Sequence, residues 1–339
     1  RAPMIGREEE FAKLKGCLDD LMNGRGQIVS IIGVAGVGKS RLVNELKPHC
    51  LRINSQAQSP SPLKWTDDAD SSRLETTSAI SPDLEIGAGR SNEILWLEGR
   101  CLSIGESVGY WVLIDILKSY FQFDATDNER TMAEKITAAV RALLPQQADE
   151  VLPLLGNLLS IKFGNELDER LKFAGPEQIK HQTFMALRDF FFALAQRQPL
   201  VLVFEDLHWA DNLSLDLILL LMEMLSLAPM MLICVYRPEQ DHKSWRIGSI
   251  ASSKCLERYT EVHLRELRPQ ESRRLVEELL TIENLPESVK NLILTKSEGN
   301  PFFVEEVIRS LIDNGVVYRE GNVWRAKAEI ESFPVPDTI

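Results

Sequence analysis

The chain has 339 residues, which allows about two domains, and its 44% apolar and 26% charged content is that of a folding chain rather than a disordered one. Lys and Arg total 38 against 50 for Asp and Glu, so the formal charge is -12 and the overall field repels nucleic acid and anionic lipid. Five scattered cysteines without a CxxC pair argue against a disulfide framework and a zinc site, and no secretory leader is legible; a cytoplasmic chain cut from something longer is the expectation.

Residues 7–23 carry Phe11, Leu14, Leu18 and Leu21 at helical spacing behind Glu8, Glu9 and Glu10, with Gly24 just after, and predict an amphipathic helix. Gln27 to Gly33 (QIVSIIG) predicts a short buried strand, followed directly by a helix from Lys39 to Lys47 that Pro48 closes. From 51 to 92 the composition turns to Ser, Thr, Asp, Pro and Gly, which predicts a polar, flexible surface insertion. Glu93 to Glu98 (EILWLE) predicts a strand, residues 110–121, 131–144 and 176–197 helices, and Leu200 to Phe204 (LVLVF) a buried strand. The stretch from Leu217 to Tyr236 is long enough to span a membrane but is interrupted by Glu223 and Pro229. It is expected as the end of a helix (213–225), a turn and a buried strand, MMLICVY (230–236), with a weaker strand at 259–264. Continuous apolar runs alternating with helices require a parallel sheet covered on both faces, so residues 1–265 predict one α/β domain. Beyond it, Pro269 to Leu280, Pro286 to Lys296 and Pro301 to Asn314 predict a small helical domain over 266–314, each helix opened by a proline. Residues 316–325, around Gly321-Asn322, predict a hairpin.

Gly33-Val34-Ala35-Gly36-Val37-Gly38-Lys39-Ser40 fits the pattern G-x-x-x-x-G-K-[ST] and stands between a buried strand and a helix, where that pattern makes a phosphate site. Glycines let backbone N–H groups face the phosphates, the helix start adds its positive end, Lys39 reaches the β/γ-phosphates and the Ser40 hydroxyl holds Mg2+. Hydrolysis also needs a carboxylate near the metal and a group that orients water. The end of LVLVFED supplies Glu205 for the first task and Asp206 for the second. Arg237 follows MMLICVY at the end where parallel sheets bind ligands, and is a candidate sensor of the γ-phosphate. Asp211, before Asn212-Leu213-Ser214, suits a helix N-cap; Trp209 is expected to pack, and His208 admits either a packing or a catalytic role. The five histidines lie far apart and form no i, i+4 pair, so no metal beyond Mg2+ is expected. Phe190-Phe191-Phe192 and Met222, Met224, Met230 and Met231 are expected in the core.

Five motifs in order, MIGREEE, GVAGVGKSRLV, LVLVFEDLHWAD, VYRPE and EGNPFFVEEVIRSL, resemble the ATPase core of the STAND class, the signal-transduction ATPases with numerous domains. The likeness is greatest to the branch found in large bacterial regulators with cyclase or transcription-factor domains in front and helical repeats behind, and it covers residues 4–339 apart from the insertion. It implies an AAA-like P-loop NTPase fold with a central parallel sheet of order 5-1-4-3-2, a small helical domain and, over 315–339, the start of a winged helix. It also implies an ATP/ADP-binding signalling switch with Mg2+ and slow hydrolysis. By the same resemblance Met4, Ile5, Gly6 and Arg7 line the adenine and ribose, Gly299 and Pro301 of Gly299-Asn300-Pro301 pack against the base, and the phosphate-loop contacts extend to Arg41. This chain departs from the family in opening its acid pair with Glu205 rather than Asp. The implied partners are the nucleotide, the effector and repeat-sensor domains of a longer chain, and a nucleotide-dependent oligomer, with no direct nucleic acid and no membrane. Two alternatives stand beside the switch: a nucleotide-holding scaffold without turnover, and a P-loop small-molecule kinase, for which no arginine-rich lid is legible.

Overall fold

A computed structural model of the chain describes residues 4–57, 92–103, 109–164, 166–239, 241–280, 286–320 and 323–326. Strands β1 (Gln27–Ile32), β2 (Leu95–Arg100), β3 (Leu200–Glu205), β4 (Met230–Tyr236) and β5 (Tyr259–His263) pair in parallel in the order β2-β3-β4-β1-β5. Counted from the other edge this is the expected order 5-1-4-3-2.

The central strands β3 and β4 read as nearly unbroken apolar runs because both of their faces are covered. In β1, Ile28 and Ile32 belong to one core cluster and Val29 and Ile31 to the other. The same alternation divides Met230, Leu232 and Cys234 from Met231, Ile233 and Val235 in β4. Helices α1 (Glu8–Met22) and α2 (Lys39–Ala57) cover the second face with Leu14, Leu18, Leu42 and Leu46. The first face carries α3 (Trp111–Tyr120), α4 (Glu129–Leu143), α5 (Ala148–Leu159), α6 (Glu166–Glu169), α7 (Pro176–Arg197), α8 (Asn212–Glu223) and α9 (Trp245–Lys254). Phe190 and Phe191 are fully buried there, as are Met222 and Met230, while Met231 is buried on the other face. Each such side chain contributes about 1.5–3 kcal/mol by leaving water. The stretch 217–236 is helix, a short 3-10 turn (Met224–Ser226) and a wholly buried strand, and among the described residues no helix is long and apolar enough to cross a membrane.

Several boundaries differ from expectation. Helix α2 does not stop at Pro48 but runs through it to Ala57. A proline inside a helix removes one hydrogen bond and costs about 3 kcal/mol in isolation; here Leu46 and Cys50, buried on either side, keep the helix on the sheet. Residues 51–57 of the expected insertion therefore belong to α2, and 58–91 lie outside the described residues. Strand β2 sits two residues later than EILWLE. Helices α5 and α9 had no expected counterpart: Pro153 and Gly156 look like breakers in α5, yet both are buried in its core-facing surface.

After β5 come α10 (Pro269–Leu280), α11 (Glu287–Ser297), α12 (Pro301–Asp313) and the antiparallel hairpin of β6 (Val317–Glu320) and β7 (Val323–Ala326). The hairpin strands are as expected; residues 321–322 of the turn and 327–339 of the expected winged helix lie outside the described residues. Leu275, Val276, Val289, Ile293, Val304 and Leu311 form a separate core, which Ile5 joins from the other end of the chain. Helix α10 is anchored by Glu271, whose carboxylate takes both arms of Arg265 at 2.9 and 3.0 Å and the Arg268 N–H at 2.6 Å. These bonds, the Arg265 pair first, hold the Glu271 carboxyl at about 2 instead of its ordinary 4.5. Because the folded value is the lower one, the clamp contributes stability above pH 4.5 and loses it as pH falls toward 2. With Arg265 largely in solvent, Glu271→Gln is expected to cost only about 1 kcal/mol at pH 7. In urea unfolding the gap to wild type should hold from pH 7 down to about pH 5 and narrow as pH falls from about 4.5 toward 2; a gap that stays constant across that range would assign the effect to packing.

Candidate functional site

With all five strands pointing one way, the segments that leave β1 to β4 meet at one edge of the sheet. Ile32 is in register with Tyr236, Phe204 with Cys234 and Arg100 with Glu205. The loop after Ile32, Arg100, Glu205 with Asp206, and Arg237 therefore share the carboxyl end, where such sheets bind ligands. The loop turns by placing Gly36 and Gly38 at φ of 76° and 103°, which glycine adopts without steric penalty, and passes into α2 at Lys39. The N–H groups of Val34 to Gly38 meet no acceptor among the described residues. Five donors without acceptors at a helix start are the means by which proteins hold phosphate.

Lys39 is buried, and its Nζ donates to the carbonyls of Gly33 (2.7 Å) and Val34 (2.8 Å). Burial holds its ammonium below the ordinary lysine value, opposed by Asp206, assisted by Arg237 and opposed by Glu205. Those three groups therefore act on the same space as the lysine. The Ser40 hydroxyl donates to Glu205 Oε2 at 3.0 Å. Burial pushes the Glu205 carboxyl up, against the Ser40 bond and the Arg100 charge. A hydroxyl hydrogen-bonded to a half-buried carboxylate is an oxygen donor set that suits Mg2+, so the residues present fit that ion.

Asp206 leaves β3 in the left-handed region (φ 55°), where Asp is among the tolerated residues, and receives Arg100 Nε at 2.7 Å. Arg237 lies with its guanidinium 6.0 Å from the Trp209 ring centre and 4.0 Å from Glu239. His208 is 5% exposed and neither ring nitrogen has a partner among the described residues. Its pKa is lowered to about 4, by burial first and by Arg237 next, so the imidazole is neutral at pH 7. Asp211 is the N-cap of α8, as expected, and more: one oxygen accepts from Ser214 N (2.9 Å) and Tyr110 N (3.0 Å), the other from Ser214 Oγ (2.6 Å) and Trp111 N (3.3 Å). It ties the start of α3 to the start of α8.

A second group of expected residues meets beside the loop. Met4, Ile5, Arg7, Val37, Gly38, Arg41 and Pro301 line one cleft of about 30 Å3, together with Leu42, Leu267 and Leu275. Gly6 and Gly299 are placed differently. Gly299 has φ 82° and a Cβ there would stand 2.5 Å from the Leu267 carbonyl, so it shapes the turn before α12; a Cβ on Gly6 would meet the Glu271 carboxyl at 2.7 Å. Arg7 is buried, donates to the Val37 carbonyl at 3.2 Å and to the Arg265 carbonyl, and pairs with Glu10 at 3.7 Å. Two residues at the site had no expected role. One is Arg100, signalled only by being a charge at the end of a parallel strand. The other is Asn300, whose side chain donates to the Ala35 carbonyl at 2.9 Å.

Comparison with known proteins bears on this arrangement. An uncharacterized protein of Rhizobium meliloti (strain 1021) is 24% identical over 236 residues, which is 70% of this chain and 19% of that protein. The chain thus spans about a fifth of the length of the curated relative it matches. Among solved structures, Drosophila ORC bound to DNA aligns with 92% of this chain and 57% of its own at 13% identity and a TM-score of 0.46. Aeropyrum pernix ORC2 in ADPNP and ADP complexes aligns with 91% and 62% at 12% identity and 0.43. A STAND protein with a tetratricopeptide repeat sensor from Pyrococcus horikoshii aligns with 96% and 42% at 13% identity and 0.33. A domain of unknown function matches residues 268–325, and the AAA ATPase domain family matches residues 3–81 and 84–233. That match covers more than half of the chain and takes in the phosphate loop and the Glu205-Asp206 strand end, so the chain belongs to the AAA ATPase domain family and is a P-loop nucleotide-binding ATPase module.

Proposed function

We propose that this module is an ATP-driven signalling switch with slow turnover, in which nucleotide binds between the α/β body and the helical unit and changes how they meet. The observation that carries this reading is the shared cleft: Met4, Ile5 and Arg7 from one end of the chain, Val37, Gly38 and Arg41 from the loop, and Leu267, Leu275 and Pro301 from the helical side enclose it. At about 30 Å3 it has room for roughly two waters, so a purine enters only if the helical side moves. A ligand whose affinity differs between two arrangements shifts their populations.

In this reading the N–H groups of Val34 to Gly38 and Lys39 take the phosphates, and Arg237 approaches the γ-phosphate from β4. Ser40 and Glu205 hold Mg2+, which when bound neutralises phosphate charge. Asp206 orients the attacking water, and the Arg100 pair at 2.7 Å restrains it, in keeping with slow turnover. The same ion pair favours a second reading, a scaffold that holds nucleotide without hydrolysing it. Purine preference, the effector and sensor partners, a nucleotide-dependent oligomer and the domain limits at 265 and 314 belong to the first reading.

The test is to purify the chain, identify any retained nucleotide, and follow phosphate release by wild type and Asp206→Ala. The switch predicts a bound adenine nucleotide, slow release, and a loss of about a hundredfold or more in the variant. Bound nucleotide with no release would establish the scaffold, and no binding at micromolar concentration would remove both readings.

A further inference from the structure

The carbonyls of the phosphate loop are all hydrogen-bonded. In a trans peptide the carbonyl of one residue and the N–H of the next point in opposite directions. The five N–H groups without acceptors, Val34 to Gly38, therefore belong to the same peptides as the carbonyls of Gly33 to Val37. Every one of those five carbonyls has a donor: Lys39 Nζ for Gly33 and Val34, Asn300 Nδ2 for Ala35 (2.9 Å), the Phe302 N–H for Gly36 (3.4 Å) and Arg7 for Val37 (3.2 Å). Apart from Lys39, the three remaining donors all come from outside the loop. Two of them sit in the first turn of α12. Asn300 does both jobs with one amide: its Oδ1 caps α12 by accepting from Phe302 N at 3.1 Å while its Nδ2 holds the loop. The approach is close enough that a Cβ on Gly36 would stand 2.7 Å from Asn300 Oδ1.

We infer that Asn300 is a positioning residue of the phosphate site: by holding the Ala35 carbonyl it keeps the Gly36 N–H facing the phosphates, so that phosphate affinity and docking of the helical unit form one coupled equilibrium. Coupling of this kind is reciprocal. Phosphate binding tightens the α12 contact, and loss of the contact weakens phosphate. The inference rests on the nucleotide-binding reading above and assigns the element that transmits it.

The test replaces Asn300 by Asp, which keeps the cap acceptor and loses the donor to Ala35. Two probes are titrated into the full chain: ADP with Mg2+, and pyrophosphate with Mg2+ as a competitor that lacks a base. Asn300→Asp is expected to weaken both by about tenfold, by the same factor. In wild type, ADP should also slow amide hydrogen exchange in the first turn of α12, and in Asn300→Asp it should not. Undiminished pyrophosphate binding, or loss of ADP alone, would overturn the inference and assign Asn300 to the base or to the fold. Should the variant fail to fold, wild-type exchange decides, since α12 amides indifferent to ADP are incompatible with the coupling. Wild type that binds neither probe would overturn the nucleotide reading itself, whereas normal wild-type binding with an unaffected variant would overturn this inference alone.

Discussion

Lys39→Ala is expected to bind ATP about thirty- to a hundredfold more weakly than wild type and to release no phosphate above background. A hydrogen bond to a charged group contributes about 1.5–3 kcal/mol, and the ammonium is also the nearest full positive charge to the loop. The variant should nonetheless fold. Lys39 is 8% exposed and its ammonium is disfavoured by burial, so its removal relieves a cost while leaving the carbonyls of Gly33 and Val34 without that donor. Calorimetric titration with ATP and a thermal melt of the same sample separate the two effects. An unchanged affinity would mean that the phosphates lie elsewhere than on this loop.

Asp211→Ala should have the largest effect on stability, about 3–5 kcal/mol, although the residue stands in the HWAD run beside the acid pair. Its carboxylate is 6% exposed and accepts four hydrogen bonds. Removal strands three backbone N–H groups, two of them buried, and each buried unsatisfied group costs about 1–3 kcal/mol. One of them belongs to Tyr110, a non-glycine residue at φ 64°, so the backbone at the start of α3 loses the contact that holds it in a disfavoured conformation. Asp211→Asn, which retains one acceptor, should recover part of the loss in urea unfolding. Phosphate release per folded molecule should change little in either variant. A large loss of turnover at full stability would make Asp211 part of the chemistry instead.

The features that could be read from the sequence are those written in local pattern. The strand, glycine turn and helix around Gly33 to Ser40 lie within about twenty residues, and their order alone places the loop at a sheet end. MMLICVY could be read as a strand because both of its faces are apolar, and Asp211 as a cap because its partner Ser214 is three residues away. Where structure contradicts local propensity the reading failed. Pro48 and Pro153 sit inside helices because burial on either side outweighs the lost hydrogen bond. Arg100 and Asn300 were missed for a different reason: their partners Asp206 and Ala35 are 106 and 265 residues away. No window along the chain contains both members, and an arginine or an asparagine alone has many ordinary uses. The tight packing of Gly6 against Glu271 and of Gly299 against the Leu267 carbonyl is likewise a contact between segments far apart in sequence.

The burial of Ile5 in the core of α10 to α12 has a consequence for how the molecule is made. That core is completed by a side chain that enters from about three hundred residues earlier in the chain. Contacts of such separation form late, after the entropy of closing the intervening loop has been overcome by the body already folded. The contacts of Ile5 with that core therefore form only after its helices have been made. Arg7, two residues from Ile5, and Asn300, at the start of α12, reach the phosphate loop from the two sides of that contact, so the loop has both clamps only when these distant segments have met.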